Sequence, residues 1–442
     1  MKPWLDDGDV RLYLGDCMDV MAEMDEGSVD AVVCDPPYGL EFMGKEWDAP
    51  WKDNRAHIGR GGDTARAGVR GEWISARPQA YIAGASFAAW CETWAREALR
   101  VLKPGGHLLA FGGTRTFHRL TCGIEDAGFE IRDCLSWLYG SGFPKSLDVS
   151  KAIDKAAGAE REVVGVIRMD QPGGDGFHDG EVVGGYERGD ARTRPVLGGP
   201  ATDAAREWQG WGTALKPAWE PCVVARKPLA GTVAENVQRY GTGALNVDGC
   251  RIAGDVPQVT QGVNSNGSGY RVAREAQPSN PHAAGRWPAN VALDEQAAAM
   301  LDAASGVTTS RAANRGALGK GPFSGIGQTG RIDGTDTVRG HTDTGGASRF
   351  YYTAKASRAD RNTSGATNTH PTVKPTDLMR WLVRLVTPPG GVVLDPFAGS
   401  GSTLVAARAE GFRAMGIERE QEYAEIIAQR LAQLSLFTEG ME

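Results

Sequence analysis

Four consecutive residues, Asp35-Pro36-Pro37-Tyr38, bring together groups that could hold a planar amine. Two consecutive prolines lack N–H donors and fix φ, so the chain leaves them with carbonyls that have no internal partner. The Asp35 carboxylate and a proline carbonyl could accept both N–H bonds of an amino group conjugated to a ring, and Tyr38 could stack on that ring. The motif therefore suggests a nucleobase site, although a strand-ending turn capped by Asp35 explains it equally well.

A second motif lies far downstream and has the residue types of a nucleotide site. Residues 392–403 have the pattern of an apolar strand, a glycine-containing turn and the start of a helix, and residues 413–417 form a second strand followed by Glu418. Gly399 and Gly401 allow a turn and a close approach of the backbone to a ligand, as in nucleotide-binding βαβ units. An acidic residue at the end of the second strand, here Glu418, can bind ribose hydroxyls.

Apolar strands must position both motifs. The run 29–34 is rich in β-branched residues, nearly free of charge and stopped by two prolines, which predicts a buried strand of a parallel sheet. Because neighbouring parallel strands end at the same edge of a sheet, a nucleotide site on one strand and a base site on the next would share one crevice. Further strands are predicted over 10–14, 107–111, 129–139 and 223–226, and helices over 87–102, 117–127, 377–386 and 422–434.

Taken together, Asp35-Pro36-Pro37-Tyr38 and the run 395–401 (DPFAGSG) resemble the amino-group DNA methyltransferases that use S-adenosylmethionine. The catalytic motif precedes the cofactor motif, an order that resembles the β class of that family. The resemblance covers about residues 9–150, 205–230 and 349–434. It implies an α/β fold, a Rossmann-like methyltransferase sheet in circularly permuted order with an inserted target-recognition region.

The resemblance also assigns residues to roles. It makes Asp35, Pro36, Pro37 and Tyr38 catalytic, with no metal ion. The residues it implies for cofactor binding are Asp16, Cys17, Thr372, Lys374, Asp395, Phe397, Ala398, Gly399, Ser400, Gly401, Ser402 and Glu418. In that set, Asp16 is expected beside the adenine of the cofactor, and the alternative is that it caps the following helix. Thr372 and Lys374 are expected near the methionine end, where an ammonium can meet the cofactor carboxylate.

The motifs divide the chain into five predicted parts. Residues 1–150 are the catalytic half of the methyltransferase domain, 151–204 an irregular insertion, 205–230 a return to the catalytic sheet, 231–348 the target-recognition region and 349–442 the cofactor-binding half. Between Arg311 and Arg361 there are nine Lys and Arg against four Asp and Glu, with aromatic residues between them. That composition suits contacts with phosphates and base edges, although a solvated glycine-rich insertion would look similar.

Composition restricts the class of protein. A formal net charge of −7 is unexpected for a DNA-binding protein, but phosphate binding responds to local potential rather than to the sum of charges. The sequence has neither a long apolar run nor a signal-peptide pattern, so we expect a cytoplasmic protein without a membrane contact. Its seven cysteines have no paired CxxC spacing, which argues against a disulfide framework or a zinc site.

The function expected from the resemblance is methyl transfer to the N6 amine of an adenine flipped out of double-stranded DNA. Asp at the first motif position favours adenine N6 over cytosine N4 in that family, yet both amines present the same two hydrogens. The alternatives are N4-cytosine methylation, a catalytically idle DNA-binding protein on the same fold, and methylation of RNA or protein. Related enzymes are often dimers and often have a companion restriction endonuclease, so both partners are expectations here.

Overall fold

The computed structural model describes residues 1–39, 79–142, 146–168, 193–254, 285–310, 313–314, 338–339, 343–355, 360, 362–363, 366–367 and 373–438. These residues fall into two compact units, one formed by Met1–Gly140 with Trp219–Glu442 and the other by Ser141–Ala218. Thr372 and much of the predicted recognition region, 231–348, lie outside the described residues. No helix within the described ranges has the length and apolar composition needed to cross a membrane.

Strands and helices alternate along most of the described chain. The strands are β1 Leu5–Asp6, β2 Val10–Leu14, β3 Val29–Cys34, β4 Leu102–Phe111, β5 Glu130–Leu138, β6 Val163–Arg168, β7 Thr193–Leu197, β8 Trp219–Arg226, β9 Val291–Asp294, β10 Thr308–Thr309, β11 Ala313–Asn314, β12 Val338–Arg339, β13 Thr344–Gly345, β14 Tyr352–Ala354, β15 Asn362–Thr363, β16 Ala366–Thr367, β17 Val392–Asp395 and β18 Arg413–Glu418. The α-helices are Cys17–Ala22, Gln79–Val101, Phe117–Asp126, Val149–Ala156, Asp203–Glu207, Val233–Tyr240, Glu295–Ser305, Thr376–Val386, Ser402–Ala409 and Gln421–Thr438.

Ten of the described strands form one mixed, mostly parallel sheet in the order β1-β2-β18-β17-β3-β4-β8-β5-β9-β14. The neighbours β2, β18, β17, β3 and β4 are all parallel, whereas β8 is antiparallel to both β4 and β5. The two last strands of the chain, β17 and β18, thus lie between the early strands β2 and β3. The predicted α/β sheet in permuted order is confirmed by this arrangement.

Helices cover both faces of the sheet because successive residues of a strand point to opposite sides. On β3, Ala31 and Val33 pack in a core with the helices Thr376–Val386 and Ser402–Ala409. Val32 and Cys34 pack on the other face, in a core with Gln79–Val101 and the other early helices. All six residues of β3 are buried, as the uninterrupted apolar run predicts for a parallel strand covered on both faces.

The turn predicted at Lys103-Pro104-Gly105-Gly106 differs in the structure. The preceding helix ends at Val101, and β4 begins immediately at Leu102 and includes those four residues. The pairing of β4 with β3 shifts register between Val29 and Ala31, which absorbs the irregular segment into the strand.

The unit Ser141–Ala218 contains regular structure where the sequence predicts an irregular insertion over 151–204. It has the helices Val149–Ala156 and Asp203–Glu207 and the antiparallel pair β6 and β7. Its centre is the buried Asp154 carboxylate, which accepts hydrogen bonds from Arg161 Nε at 2.6 Å and from Thr202 Oγ1 at 2.8 Å. Asp154 and Thr202 are distant in sequence, so the local pattern does not reveal that they meet.

Candidate active site

Four acidic residues lie at the carboxyl ends of four consecutive parallel strands. Asp16 follows β2, Glu418 ends β18, Asp395 ends β17 and Asp35 follows β3. Val393 and Leu394 of β17 pair in parallel with Ala31 and Val32 of β3, so the glycine turn after β17 and the proline motif after β3 leave the sheet at one edge. This is the crevice position at which open α/β sheets bind ligands.

Asp35 belongs to a compact cluster of charged and polar side chains. Both of its carboxylate oxygens accept hydrogen bonds, Oδ1 from the Tyr38 hydroxyl at 2.8 Å and Oδ2 from the Lys374 ammonium at 2.6 Å. Lys374 Nζ also lies 3.0 Å from the Tyr38 hydroxyl and 3.2 Å from Glu220 Oε2. The Tyr38 hydroxyl is 3.4 Å from the same Glu220 oxygen. We refer to Asp35, Tyr38, Glu220 and Lys374 as the Asp35 cluster.

Three separate parts of the chain hold this cluster in place. Asp35 and Tyr38 flank Pro36 and Pro37 at the exit of β3, and Thr116 Oγ1 donates a 2.6 Å hydrogen bond to the Tyr38 carbonyl. Glu220 is the second residue of β8, which joins the sheet beside β4. Lys374 immediately precedes Pro375, the N-cap residue of the helix Thr376–Val386. The site therefore depends on the complete sheet rather than on one motif.

Burial and neighbouring charge set the protonation of the cluster. Burial acts to lower the pKa of Lys374, but the Asp35 and Glu220 carboxylates outweigh it and raise that pKa above its usual value. The pKa of Tyr38 is also raised well above its ordinary value, first by burial and then by the same two carboxylates. Lys374 is therefore an ammonium and Tyr38 a neutral hydroxyl donor at neutral pH. The Lys374 ammonium also lies 4.8 Å from the centre of the Phe111 ring, a favourable cation–π distance.

Lys374 has different partners from those implied by the resemblance. The sequence expectation was an ammonium facing the carboxylate of the cofactor, whereas the structure pairs it with Asp35 and Glu220. Its main chain, in contrast, does contact the glycine turn, since Ser402 Oγ donates a 2.9 Å hydrogen bond to the Lys374 carbonyl. Lys374 thus links the two predicted motifs.

The glycine turn after β17 has the backbone conformations that its sequence predicts. Gly399 and Gly401 have φ of 52° and 79°, in the left-handed region that favours glycine. A Cβ atom on Gly401 would lie 2.8 Å from Ile427 Cγ1, so the turn packs closely against the last helix. The Ala398 amide donates to the Ile417 carbonyl at 2.9 Å, which ties the turn to β18. The result is a rigid main-chain cradle of the type that approaches a nucleotide closely.

Glu418 lies beside that turn with a pKa near neutrality. Its Oε2 accepts a 2.7 Å hydrogen bond from the Gly399 amide, and its Oε1 accepts one of 2.8 Å from the Glu420 amide. Burial outweighs these hydrogen bonds and raises the pKa of the Glu418 carboxyl to about 7. The Gly15 amide donates to the Glu418 carbonyl at 2.9 Å, so the segment containing Asp16 lies next to Glu418.

Asp395 and Phe397 support the turn from within the protein. The Asp395 side chain is 2% exposed and accepts a 3.0 Å hydrogen bond from the Phe397 amide. Burial raises the pKa of Asp395 to about 7. The Phe397 ring packs edge-on against Trp94, with 5.3 Å between ring centres. Both residues hold the shape of the turn.

Asp16 and Cys17 behave differently from each other. The Asp16 carboxylate accepts a 2.9 Å hydrogen bond from the Met18 amide and caps the helix Cys17–Ala22, which was the structural alternative. Capping uses one carboxylate oxygen, so the same side chain can also bind a ligand. The Cys17 side chain packs in the hydrophobic core, and burial raises the pKa of its thiol. Any contact of Cys17 with a cofactor would therefore involve its main chain.

Two residues of the site had no predicted role. Glu220 lies next to a proline at the start of an apolar strand, and nothing in its local sequence connects it to Asp35. Arg430 is 5% exposed and donates to the Ser400 carbonyl at 2.6 Å and to Ser402 Oγ at 3.2 Å. Because helical arginines usually lie in solvent, the sequence of the last helix does not reveal this contact. In the described part of the chain, no three His, Cys, Asp or Glu residues are grouped as a metal site.

Comparison with known proteins gives a family match. A family model for N6/N4 methyltransferases, described as "DNA methylase", matches residues 29–155 and 306–429. These ranges contain both motifs of the site and make up more than half of the chain.

Individual relatives show weaker or shorter similarity. The Type II methyltransferase M.HindIII of Haemophilus influenzae is 23% identical over 435 residues, which cover 95% of this chain and 94% of that protein. The putative methylase YubD of Escherichia coli is 51% identical over 63 residues, 14% of this chain and 28% of YubD. Among solved structures, PvuII DNA methyltransferase (cytosine-N4-specific) has a TM-score of 0.44 at 13% identity, covering 97% of this chain and 88% of the other. TTHA0409 of Thermus thermophilus, titled a DNA modification methylase, has a TM-score of 0.37 at 16% identity, with 96% and 94% covered.

Proposed function

Because this chain belongs to the N6/N4 DNA methylase family, we propose that it methylates the N6 amine of an adenine in double-stranded DNA. The membership confirms the methyltransferase class predicted from the two motifs, with S-adenosylmethionine as the methyl donor. The observation that carries the finer proposal is the Asp35 cluster beside the glycine turn. It provides a hydrogen-bond acceptor for an amine and a main-chain cradle for a nucleotide at one edge of the sheet.

In this proposal, Asp35 and the Pro36 carbonyl accept the two hydrogens of the target amine. The base must leave the duplex because its amine is inaccessible in the stack, and the Tyr38 ring replaces part of the lost stacking. The Tyr38 hydroxyl and Lys374 already hold the two oxygens of Asp35 in a defined orientation. Positioning of the nitrogen lone pair and electrostatics therefore account for most of the catalysis, without a covalent nucleophile.

The cofactor side of the proposal rests on the turn after β17. S-adenosylmethionine supplies a methyl group on a sulfonium. Gly399 and Gly401 let the main chain approach it, and the Glu418 carboxylate is suited to accept hydrogen bonds from ribose hydroxyls. The remaining proposed contacts come from Asp16, Cys17, Thr372, Lys374, Asp395, Phe397, Ala398, Ser400 and Ser402.

The choice of adenine rests on Asp35, since Asp at this motif position favours the adenine group of the family. N4 of cytosine is the second candidate, because its amine offers the same two hydrogens to Asp35 and Pro36. The Type II methyltransferase names of several relatives support a role in restriction and modification with a companion endonuclease. A homodimer and a cytoplasmic location also remain part of the proposal.

Mass spectrometry of nucleosides tests the reaction directly. Unmethylated DNA is incubated with the purified protein and S-adenosylmethionine, with Asp35→Ala and, as a control, the exposed Asp25→Ala in parallel. We expect N6-methyladenine with the intact protein and with Asp25→Ala, and none with Asp35→Ala, which should still bind the cofactor because Asp35 lies outside the glycine turn.

Each other outcome changes one part of the proposal. N4-methylcytosine would keep the mechanism and replace adenine by cytosine as the target. Near-normal turnover of Asp35→Ala would remove Asp35 from the mechanism. Cofactor binding without any methylated base, across DNA of diverse sequence, would favour the idle DNA-binding protein.

A further inference from the structure

Glu220 is a member of the Asp35 cluster that neither sequence motif contains. It lies on β8, where it pairs with Trp137 of β5, and its side chain is 24% exposed. Its Oε2 atom is 3.2 Å from Lys374 Nζ and 3.4 Å from the Tyr38 hydroxyl. Glu220 therefore contacts both residues that hold the Asp35 carboxylate.

The charge of the cluster is unusual for a structural ion pair. Asp35 and Glu220 both pair with one ammonium, that of Lys374, so the ionised cluster has one negative charge in excess. Asp35 and Lys374 alone would already be neutral. A second carboxylate in a half-buried place adds desolvation and like-charge repulsion, which structural ion pairs tend to avoid. The excess charge thus calls for a counterpart that arrives with the reaction.

Methyl transfer provides such a counterpart. The nitrogen lone pair of the amine forms the new N–C bond, and the electron pair of the C–S bond stays on sulfur, which becomes a neutral thioether. One unit of positive charge thereby moves from sulfur to nitrogen, until one N–H proton leaves the amine. Preorganised negative charge on the nitrogen side lowers the energy of this transition state.

We propose that Glu220 is a positioning residue for methyl transfer, which holds Lys374 against Asp35 and keeps the amine side of the site net negative. This inference rests on the proposed role of Asp35 as the acceptor of the amine. Lys374 orients Asp35 but also cancels its charge, and Glu220 restores that charge without contacting the base. Tyr139 faces the same groups: burial and then Glu220 raise the pKa of its hydroxyl, which stays neutral.

The isosteric variant Glu220→Gln tests the charge with little change of shape. We expect kcat for DNA methylation to fall roughly 10- to 100-fold, with the KM values for DNA and cofactor nearly unchanged, since the lost interaction forms in the transition state. Glu220→Asp keeps the charge and should recover part of the rate. The matched control is Glu130→Gln, which removes a carboxylate that lies 2.6 Å from Arg226 at the other end of β8.

Ligand binding gives a second measurement that does not depend on turnover. Calorimetry compares S-adenosylhomocysteine, a neutral thioether, with sinefungin, in which a carbon carrying an ammonium replaces the methylsulfonium. The excess negative charge should favour the cationic analogue, and Glu220→Gln should reduce this preference about three- to tenfold, as expected for charges several ångströms apart in a protein. Glu130→Gln should leave the preference unchanged.

The two measurements separate the inference from the proposed function. Wild-type kcat and unchanged analogue preference in Glu220→Gln would overturn the role of Glu220 while methylation by the parent protein stands. A loss of thermal stability with raised KM and unchanged analogue preference would show a purely structural role and also overturn it. If the parent protein methylates no base, the proposed function fails, and the analogue preference still decides whether Glu220 sets the charge of the site.

Discussion

At the scale of single residues, carboxylates with the same chemistry have different environments at one sheet edge. Asp35 is paired with an ammonium, whereas Asp395 and Glu418 are buried and receive only main-chain or hydroxyl hydrogen bonds. Burial raises the pKa of each of these two to about 7. Asp35 can therefore act as an ion-paired acceptor, while the protonation of the cofactor side changes near neutral pH.

The pH dependence of cofactor affinity follows from Glu418. Since burial raises its pKa to about 7, the carboxyl is mostly protonated at pH 6 and mostly ionised at pH 8. An ionised carboxylate accepts ribose hydroxyls better, so the affinity for S-adenosylmethionine should rise roughly three- to tenfold over that interval. Calorimetry at several pH values measures this rise and the proton released on binding.

Glu418→Gln is the comparison for that experiment. It cannot ionise, so its affinity should be lower at pH 8 and should change less with pH. Asp395, whose pKa is also about 7, remains in this variant. An equal pH dependence in both proteins would therefore assign the titration to Asp395 and contradict the role of Glu418.

At the scale of elements, the glycine turn and the proline exit each depend on an adjacent element. The turn packs against Ile427 of the last helix, and Arg430 of that helix donates to the Ser400 carbonyl. The exit of β3 is fixed by Thr116, directly before the helix Phe117–Asp126. Each site segment is thus held from outside its own motif, which makes its geometry a property of helix packing.

Replacing Gly401 by alanine tests the turn. Alanine at φ 79° is strained by about 1–2 kcal/mol, and its Cβ atom would also lie 2.8 Å from Ile427 Cγ1. We expect Gly401→Ala to lower both the unfolding temperature and the affinity for S-adenosylmethionine. Scanning calorimetry and titration calorimetry measure the two effects.

Gly411→Ala is a matched control for that substitution. Gly411 has a similar φ of 75°, but no atom lies within 4 Å of a Cβ atom built there. It should show the backbone strain alone, with unchanged cofactor affinity. Equal losses of affinity in both variants would mean that the turn does not contribute to the cofactor site.

At the scale of the whole molecule, the order of strands makes the two ends of the chain interdependent. The last strands, β17 and β18, lie between β2 and β3, and their parallel pairing joins both halves into one sheet. In contrast, Ser141–Ala218 is a compact unit of its own. Leu138 and Trp219, close to the ends of that unit, are paired neighbours on antiparallel strands.

A short turn should therefore be able to replace residues 141–218. Antiparallel partners are close enough for a turn of a few residues, so Gly-Asn-Gly inserted between Gly140 and Trp219 should leave the sheet intact. We expect one cooperative unfolding transition and retained affinity for S-adenosylmethionine, measured by calorimetry. A molten protein, or one that no longer binds the cofactor, would show that the sheet depends on this unit.

The sequence by itself determined the chemistry of the two motifs, the buried strand β3, the turn at Gly399 and Gly401, and the family. Each of these depends on residues that are contiguous, so their types and spacing suffice to identify them. Only the tertiary structure decided that Lys374 pairs with Asp35, 339 residues away, and that Glu220 joins Tyr38 across 182 residues. The physical reason is that such contacts depend on which strands become neighbours, and that order results from packing across the whole sheet.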